Sequence, residues 1–435
     1  MEESLAPNIE SAVVSRLLWR LMPFLFLLYI IAYLDRINVS FAILQMREQL
    51  HLSDRVYGNA AGVFFLGYLL FQVPSNLVLQ KVGVRRWICG LMVTWGLVSC
   101  SMIFIRGPYS FYTLRFLLGA AEAGFFPGMI LYMRCWFPAN ARARAVAWFM
   151  MANPLAGVIG SPISGALMGL RGGGLVGWQW LFLIEGIPAI FFGVMVLRVL
   201  ADKPEEAGWL SDEQRNWLVT TLAREGEESS IGEKLNLRSI GATIARVGAL
   251  SLVYFAVPAC MYGVTFWLPT AIRSLSGLSY FRTGLLALIP YLATAVTMVL
   301  VGIRSDRSGE RRWHTATPAF LGAAALGMAA LGGAPWIVIT GMSLGMMGAQ
   351  SMVGPFWAMA TSAMSGNAAA ASIAAINSLG NLGGFFGPYI IGLARSADGG
   401  FRGGFLAIGA TMAVSGALAL VVESEFRYRK RSTAL

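Results

Sequence analysis

Charge is what this chain has least of. Lysine, arginine, aspartate and glutamate make up 13% of its 435 residues, about half the share a soluble chain carries. A water-soluble fold of this length would lack the polar residues to cover its surface, which excludes soluble multi-domain architectures. Histidine occurs only at His51 and His314, too few and too far apart for a metal site. The four cysteines (Cys89, Cys100, Cys135, Cys260) lie singly inside apolar stretches, with no CxxC pair, and read as small buried thiols. No nucleophile–base set, metal cluster or nucleotide loop is present, so the chain does not read as an enzyme and no cofactor is expected. The net charge of +11 does not point to nucleic acid, because the charges sit in short clusters between long apolar runs. The first 20 residues hold Glu2, Glu3, Glu10, Arg16 and Arg20 and no apolar core, unlike a cleavable signal peptide.

Apolar runs are abundant. Hydrophobic residues are 57% of the chain, and a bilayer core needs about 20 mostly apolar helical residues. Twelve such runs are expected, over 17–43, 56–78, 86–105, 109–137, 144–169, 178–200, 247–274, 283–303, 314–332, 335–363, 369–394 and 403–422. They are continuous, as in 21–34, rather than alternating as β-barrel strands would be. With the amino terminus placed inside, the cytoplasmic segments hold 23 of the 33 basic residues and the outer segments 8. That bias puts both termini in the cytoplasm. The fold class is therefore all-α membrane protein, with twelve transmembrane helices in two pseudo-symmetric six-helix bundles. The expected division is 1–200, a cytoplasmic linker loop 201–245, and 246–435 with a short basic tail. Ser211, Asp212 and Glu213 should cap a short amphipathic stretch in the linker.

Two loops repeat. Lys81-Val82-Gly83-Val84-Arg85 follows the second run and Arg307-Ser308-Gly309-Glu310-Arg311 the eighth, 226 residues further on. Each is a tight turn in which Gly permits backbone geometry that other residues resist. The second loop also carries Gly302 and Asp306, the acid placed to pair with a nearby Arg. These loops resemble the signature of the major facilitator superfamily; the first copy departs from it with Asn76 and Gln80 where Gly and Asp are usual. Other segments sharpen the likeness: Tyr33-Leu34-Asp35-Arg36-Ile37-Asn38, Gly67-Tyr68 with Gln72-Val73-Pro74-Ser75-Asn76, Arg115 through Gly128, Gly354-Pro355-Phe356-Trp357, and Asn377 through Phe385. Together they resemble the anion:cation symporter branch, which includes bacterial tartrate, sugar-acid and aromatic-acid permeases. A bacterial inner membrane fits the Arg-rich basic set, 29 Arg against 4 Lys.

The remaining two basic residues, Arg36 and Arg115, fall inside apolar runs with Asp35, Glu122 and Glu185. Charges there are costly and face cavities. Arg115 and Glu122 are seven residues apart and share one helix face. Asp35, Arg36, Arg115 and Glu122 sum to zero with both acids ionised and to +2 with both protonated, so proton loading would create an anion site. Burial and neighbouring arginines act in opposite senses on a carboxyl's hold on its proton. Glu185 is expected to make a structural hydrogen bond near a helix end. The resemblance implies that Asp35 and Glu122 are protonation sites, that Arg115 couples them, and that Arg36 contacts a substrate carboxylate. It also implies hydrogen-bonding roles for Tyr33, Tyr68, Tyr254, Trp357 and Asn377, with Tyr262 and Asn381 beside them, and gating roles for Gly83, Arg85, Gly302, Asp306, Arg307 and Gly309. The last six runs contain no Lys or Arg in their cores, so they should supply neutral donors.

The reading is a secondary transporter, a monomer whose partners are a small organic anion, protons and the lipid bilayer, importing by alternating access. More than one proton per monovalent anion is expected, making uptake electrogenic. Anion exchange, such as organic phosphate for phosphate, would favour more cavity cations and little need for buried acids. A non-transporting sensor of the same fold would need an extra signalling domain, for which the linker and tail offer little room.

Overall fold

The computed structural model describes residues 6–228, 240–362 and 368–432. Linker residues 229–239, and the side chains of the basic tail, lie outside what is described. Among the described residues, twelve long helical units account for nearly all the chain: α1 (Ile9–Gln49), α2 (Asp54–Leu79), α3 (Val84–Phe104), α4 (Pro108–Trp136), α5 (Ala139–Leu167), α6 (Gly177–Val199), α7 (Ala245–Ser276), α8 (Tyr280–Ser308), α9 (Arg312–Ala330), α10 (Pro335–Ser362), α11 (Ala368–Asp398) and α12 (Arg402–Val422).

Ten of the twelve are long and apolar enough to cross a membrane by themselves. The exceptions are α9 and α11. Alanine and glycine make up much of both, and α11 also carries Asn377 and Asn381. Small residues contribute little hydropathy but let helices approach closely, and both helices pack along neighbours, α9 on α10 and α12, α11 on α7 and α2. Their place in the bundle is set by packing rather than by hydropathy.

Local sequence explains the ends and breaks. Ser53 caps α2, its Oγ accepting from the Val56 N–H at 3.2 Å, and Ser279 caps α8 through the Arg282 N–H at 3.4 Å. α1 is longer than the 17–43 expected and is interrupted at Asn38. The Asn38 N–H still reaches the Leu34 carbonyl at 2.9 Å and its carbonyl receives the Ala42 N–H at 3.1 Å, so the break is a kink, not a loop. In the linker a helix does form, over Asp212–Glu228, with the Ser211 Oγ accepting from the Gln214 N–H.

The halves meet through α2 with α11, α5 with α8, and the far segment of α1 with α7. Exchanging the halves converts the first pair into the second, since α2 corresponds to α8 and α11 to α5. Both pairs touch through glycine. A Cβ on Gly58 would stand 2.8 Å from the Pro388 carbonyl oxygen, and one on Gly284 2.2 Å from that of Ser161. These contacts lie toward the end remote from the termini, the far end. There the Arg395 Nε meets Asp54 Oδ2 at 3.0 Å across the halves, while Arg47 Nη1 holds Asp54 Oδ1 at 2.9 Å.

The two repeated loops turn as expected at glycine: Gly83 has φ 89° and Gly309 φ 65°. Gly302 is helical, within α8. The Arg85 N–H is accepted by Asp202 Oδ1 at 3.1 Å and its guanidinium by the Leu197 carbonyl. Asp306 pairs with Arg311 at 2.6 Å, and Arg307 is exposed beside it.

Candidate substrate and proton site

Two helices in the amino-terminal half bring the intramembrane charges together. α1 presents Asp35 and Arg36, and α4 presents Arg115 and Glu122. The close approach of α4 to α2 depends on Gly119, where a Cβ would lie 1.9 Å from the Phe64 carbonyl oxygen. With that clearance, α4 delivers Glu122 to α1.

Arg36 donates to Glu122 Oε2 through Nε at 3.1 Å and Nη2 at 2.8 Å. Its Nη1 donates to the Tyr262 hydroxyl at 3.1 Å, which belongs to α7 in the other half. Arg115 and Glu122 share a face of α4, but Glu122 does not pair along it; the carboxylate crosses to Arg36. Arg115 points its Nε at the Ala60 carbonyl at 3.3 Å, while Nη1 and Nη2 are buried without a hydrogen-bond partner. Its charge is met by aromatic faces: Phe64 at 4.9 Å and Phe266 at 5.7 Å from the guanidinium carbon. The same Phe64 ring lies 5.2 Å from the Arg36 guanidinium, and the Tyr68 ring 5.3 Å from it.

Exposure separates the four. Asp35, Arg115 and Glu122 are fully buried, whereas the Arg36 side chain keeps 12% of its surface open. Arg36 is the member of the set that an arriving anion can touch. Asp35 lies inside the bundle. Its Oδ1 accepts from the Ser99 Oγ at 2.7 Å and its Oδ2 is buried without a partner. Glu185, on α6, accepts from the Ser164 Oγ at 2.7 Å, a side-chain bond rather than one to a helix end.

The neutral residues divide into two groups. Tyr254 and Trp357 stand together with ring centroids 5.0 Å apart, both half-buried, and Tyr254 also stacks on Phe356 at 5.3 Å. Asn381 Nδ2 donates to Asn377 Oδ1 at 3.3 Å one turn along α11. Gly380 lets Tyr254 lie against α11, since a Cβ there would sit 2.3 Å from its ring. Tyr68 is half-buried over Arg36, while Tyr33 is fully buried with an unpartnered hydroxyl. Tyr262, which motif position alone ranks behind the others, is the residue that actually holds Arg36 from the opposite half. No local pattern could have paired residues 226 positions apart.

A deeply buried arginine–carboxylate set in one six-helix half, touching the other half through Tyr262, fits a carrier, and sequence comparison agrees. The family model of the Major Facilitator Superfamily matches residues 25–388. The chain belongs to that superfamily. It is a multi-pass membrane transporter and not an enzyme. The chain is 47% identical over 416 residues, 95% of its length and 92% of the relative's, to a protein of Agrobacterium vitis named "Putative tartrate transporter". It is 36% identical over 411 residues, 94% of each chain, to the "Inner membrane transport protein RhmT" of Escherichia coli. Among solved structures, a bacterial homologue of the human lysosomal transporter Spinster, in an inward-facing and occupied conformation, superposes with a TM-score of 0.76 at 16% identity. That match covers 93% of this chain and 96% of the other, and it fixes the fold.

Proposed function

We propose that the protein imports an organic carboxylate, of the tartrate, sugar-acid or aromatic-acid type, together with protons. The observation that carries this is the Arg36 fork: partly open to an approaching anion, and held by Glu122 and Tyr262. A substrate carboxylate and Glu122 compete for the same donors. When Glu122 takes a proton it becomes a weak partner, and the planar guanidinium is released to bind the substrate bidentately. Binding of the anion and protonation of Glu122 therefore favour one another, as linkage requires. Asp35 adds a second carboxyl, so the set reaches +2 when both are protonated. Arg115 keeps the positive field in place between them without engaging substrate.

Tyr254, Trp357, Asn377 and Asn381 supply aromatic faces and neutral hydrogen-bonding groups for the rest of the molecule, which suits hydroxylated or aromatic acids. The relative named for tartrate supports an acid of this size, and the relative named as an inner membrane protein supports that location; the bias of basic residues supports both termini inside. The carrier works as a monomer with no cofactor, rocking its halves about the midplane site.

The test is uptake into proteoliposomes of purified protein, with an imposed gradient, acid outside. Accumulation of a labelled carboxylate, internal acidification and inward positive charge movement are expected. Uptake indifferent to both the pH gradient and the membrane potential overturns the proposal. Uptake that instead demands a counter-anion inside assigns the protein to exchange.

A further inference from the structure

Glu185 is the fourth buried carboxyl of the amino-terminal half, with Asp35, Asp54 and Glu122, and the ion-pair scheme leaves it unused. It is 5% exposed and receives one hydrogen bond, from Ser164. Its Oε2 faces the Asn38 side chain, 1% exposed, and Asp35 faces Trp95, but neither contact closes into a well-formed hydrogen bond, and Ser161 Oγ, 1% exposed, makes none. Three buried side chains, Asp35, Asn38 and Glu185, thus gather incompletely satisfied polar atoms where α1 is interrupted. Asn38 and Glu185 are near neighbours, and the charges of Glu185 and Glu122 both act on Asp35. Buried groups of this kind are satisfied by internal water.

The polar positions continue. Asp35, Asn38, Gln45 and Gln49 recur on one face of α1 at helical spacing. Beyond the kink, Gln45 donates to the Met168 carbonyl at 2.7 Å and accepts from the Trp178 N–H at 3.1 Å, and Gln49 accepts from the Trp178 Nε1 at 2.7 Å. From Asp35 to Gln49 is 14 residues, about 21 Å at helical rise, ending at the far surface where Gln49 is exposed.

We propose that this stripe is a hydrated proton route through the amino-terminal bundle, with Glu185 as its intermediate carrier between Asp35 and the far face. It is separate from the substrate path between the halves, which the glycine contacts close at that end. Protons would therefore reach Asp35 while the far end is shut to substrate. The titratable groups facing Glu185 are Asp35 from α1 and Cys100 from α3, the latter beside Gly186; α5 contributes Ser161 and Ser164. The transfer is a proton hop, each carboxyl taking a proton from one side and releasing it to the other, with no bond changed otherwise.

The inference rests on proton coupling as proposed above, and the experiment separates the two. In wild-type proteoliposomes, absence of gradient-driven uptake removes the coupling itself. Given coupling, Glu185→Gln, which keeps the Ser164 bond, is expected to lower gradient-driven accumulation about tenfold, within the usual range of coupling energies. Its proton-independent substrate counterflow should stay within about twofold of wild type, and Glu185→Asp should restore part of the pH dependence. Asn38→Leu, similar in size and apolar, provides the same comparison if Glu185→Gln does not reach the membrane. Wild-type pH profile and proton-to-substrate ratio in whichever variant folds overturn the route and leave Glu185 a structural anchor.

Discussion

The two halves share a fold and divide the labour. The most deeply buried charged side chains among the described residues lie in the amino-terminal half, namely Asp35, Asp54, Arg115, Glu122 and Glu185; Arg36 is close to them in burial, and so at the far end is Arg395 of the other half. The corresponding interior of the other half holds tyrosines, tryptophan and amides. A bilayer-spanning bundle bears the cost of buried ions only when they compensate one another, and compensation is easiest inside one rigid body. Under the proposed function, keeping the ion set in one half would spare it re-pairing as the halves rock, and would leave the opposite half to specify the shape and hydroxyl pattern of the cargo. The ion set itself reaches across this division through the Arg36 to Tyr262 bond, supplemented by the Arg115 to Phe266 contact.

That contrast can be broken most severely at Arg36. Arg36→Lys retains charge but not the fork, and uptake is expected to fall about 100-fold, equivalent to about 2.7 kcal/mol; initial rates of labelled uptake measure it. Tyr262→Phe, removing only the neutral half's contribution, should cost far less. Next comes Glu122→Gln, which frees Arg36 permanently. Gradient-driven accumulation should drop about tenfold while counterflow persists, a separation read in the same vesicles.

The far-end tie sharpens the comparison from another side. Asp54→Asn removes a charge held by Arg395 and Arg47, weakening the seal by about 1–2 kcal/mol. A cysteine reporter at Ala61, fully buried behind that seal, should then react with a far-side thiol reagent roughly fivefold to thirtyfold faster. The smallest effect concerns Glu310, outside the spans. Partial burial pushes its carboxyl up, but the Trp313 N–H and the His314 ring and N–H outweigh this and hold it below the usual carboxylate range. A depressed carboxyl stabilises the fold above its ordinary titration range and loses that contribution as pH falls through the depressed value. Glu310→Gln should flatten the acid limb of a thermal-unfolding profile by under about 1 kcal/mol.

How much of this was legible along the chain depended on distance. Ten helices announce themselves by length and hydropathy, and the turns at Gly83 and Gly309 by a repeated motif. α9 and α11 were found as apolar runs although their hydropathy falls short of a clear span, because polar residues such as His314, Asn377 and Asn381, together with glycines, lower it. The charged site residues stand out because ions are rare inside spans. Their partners do not. Spacing put Arg115 and Glu122 on one face of α4, and tertiary packing took the carboxylate to Arg36 and left Arg115 to aromatic rings. Asp54 and Arg395, 341 residues apart, share no local signal at all. Periodicity reports which face a residue occupies, and only the assembled bundle decides what meets that face.

The glycine contacts between the halves carry a consequence of another kind. A seal formed where main chain meets main chain has no rotamers to choose among, so it re-forms identically at each cycle. It also leaves evolution no room. Gly58, Gly284 and their counterparts tolerate no added methyl, though no chemistry occurs there. The far end should therefore be as intolerant of drift as the ion set itself, and a variant that transports poorly need not be altered anywhere near the cargo.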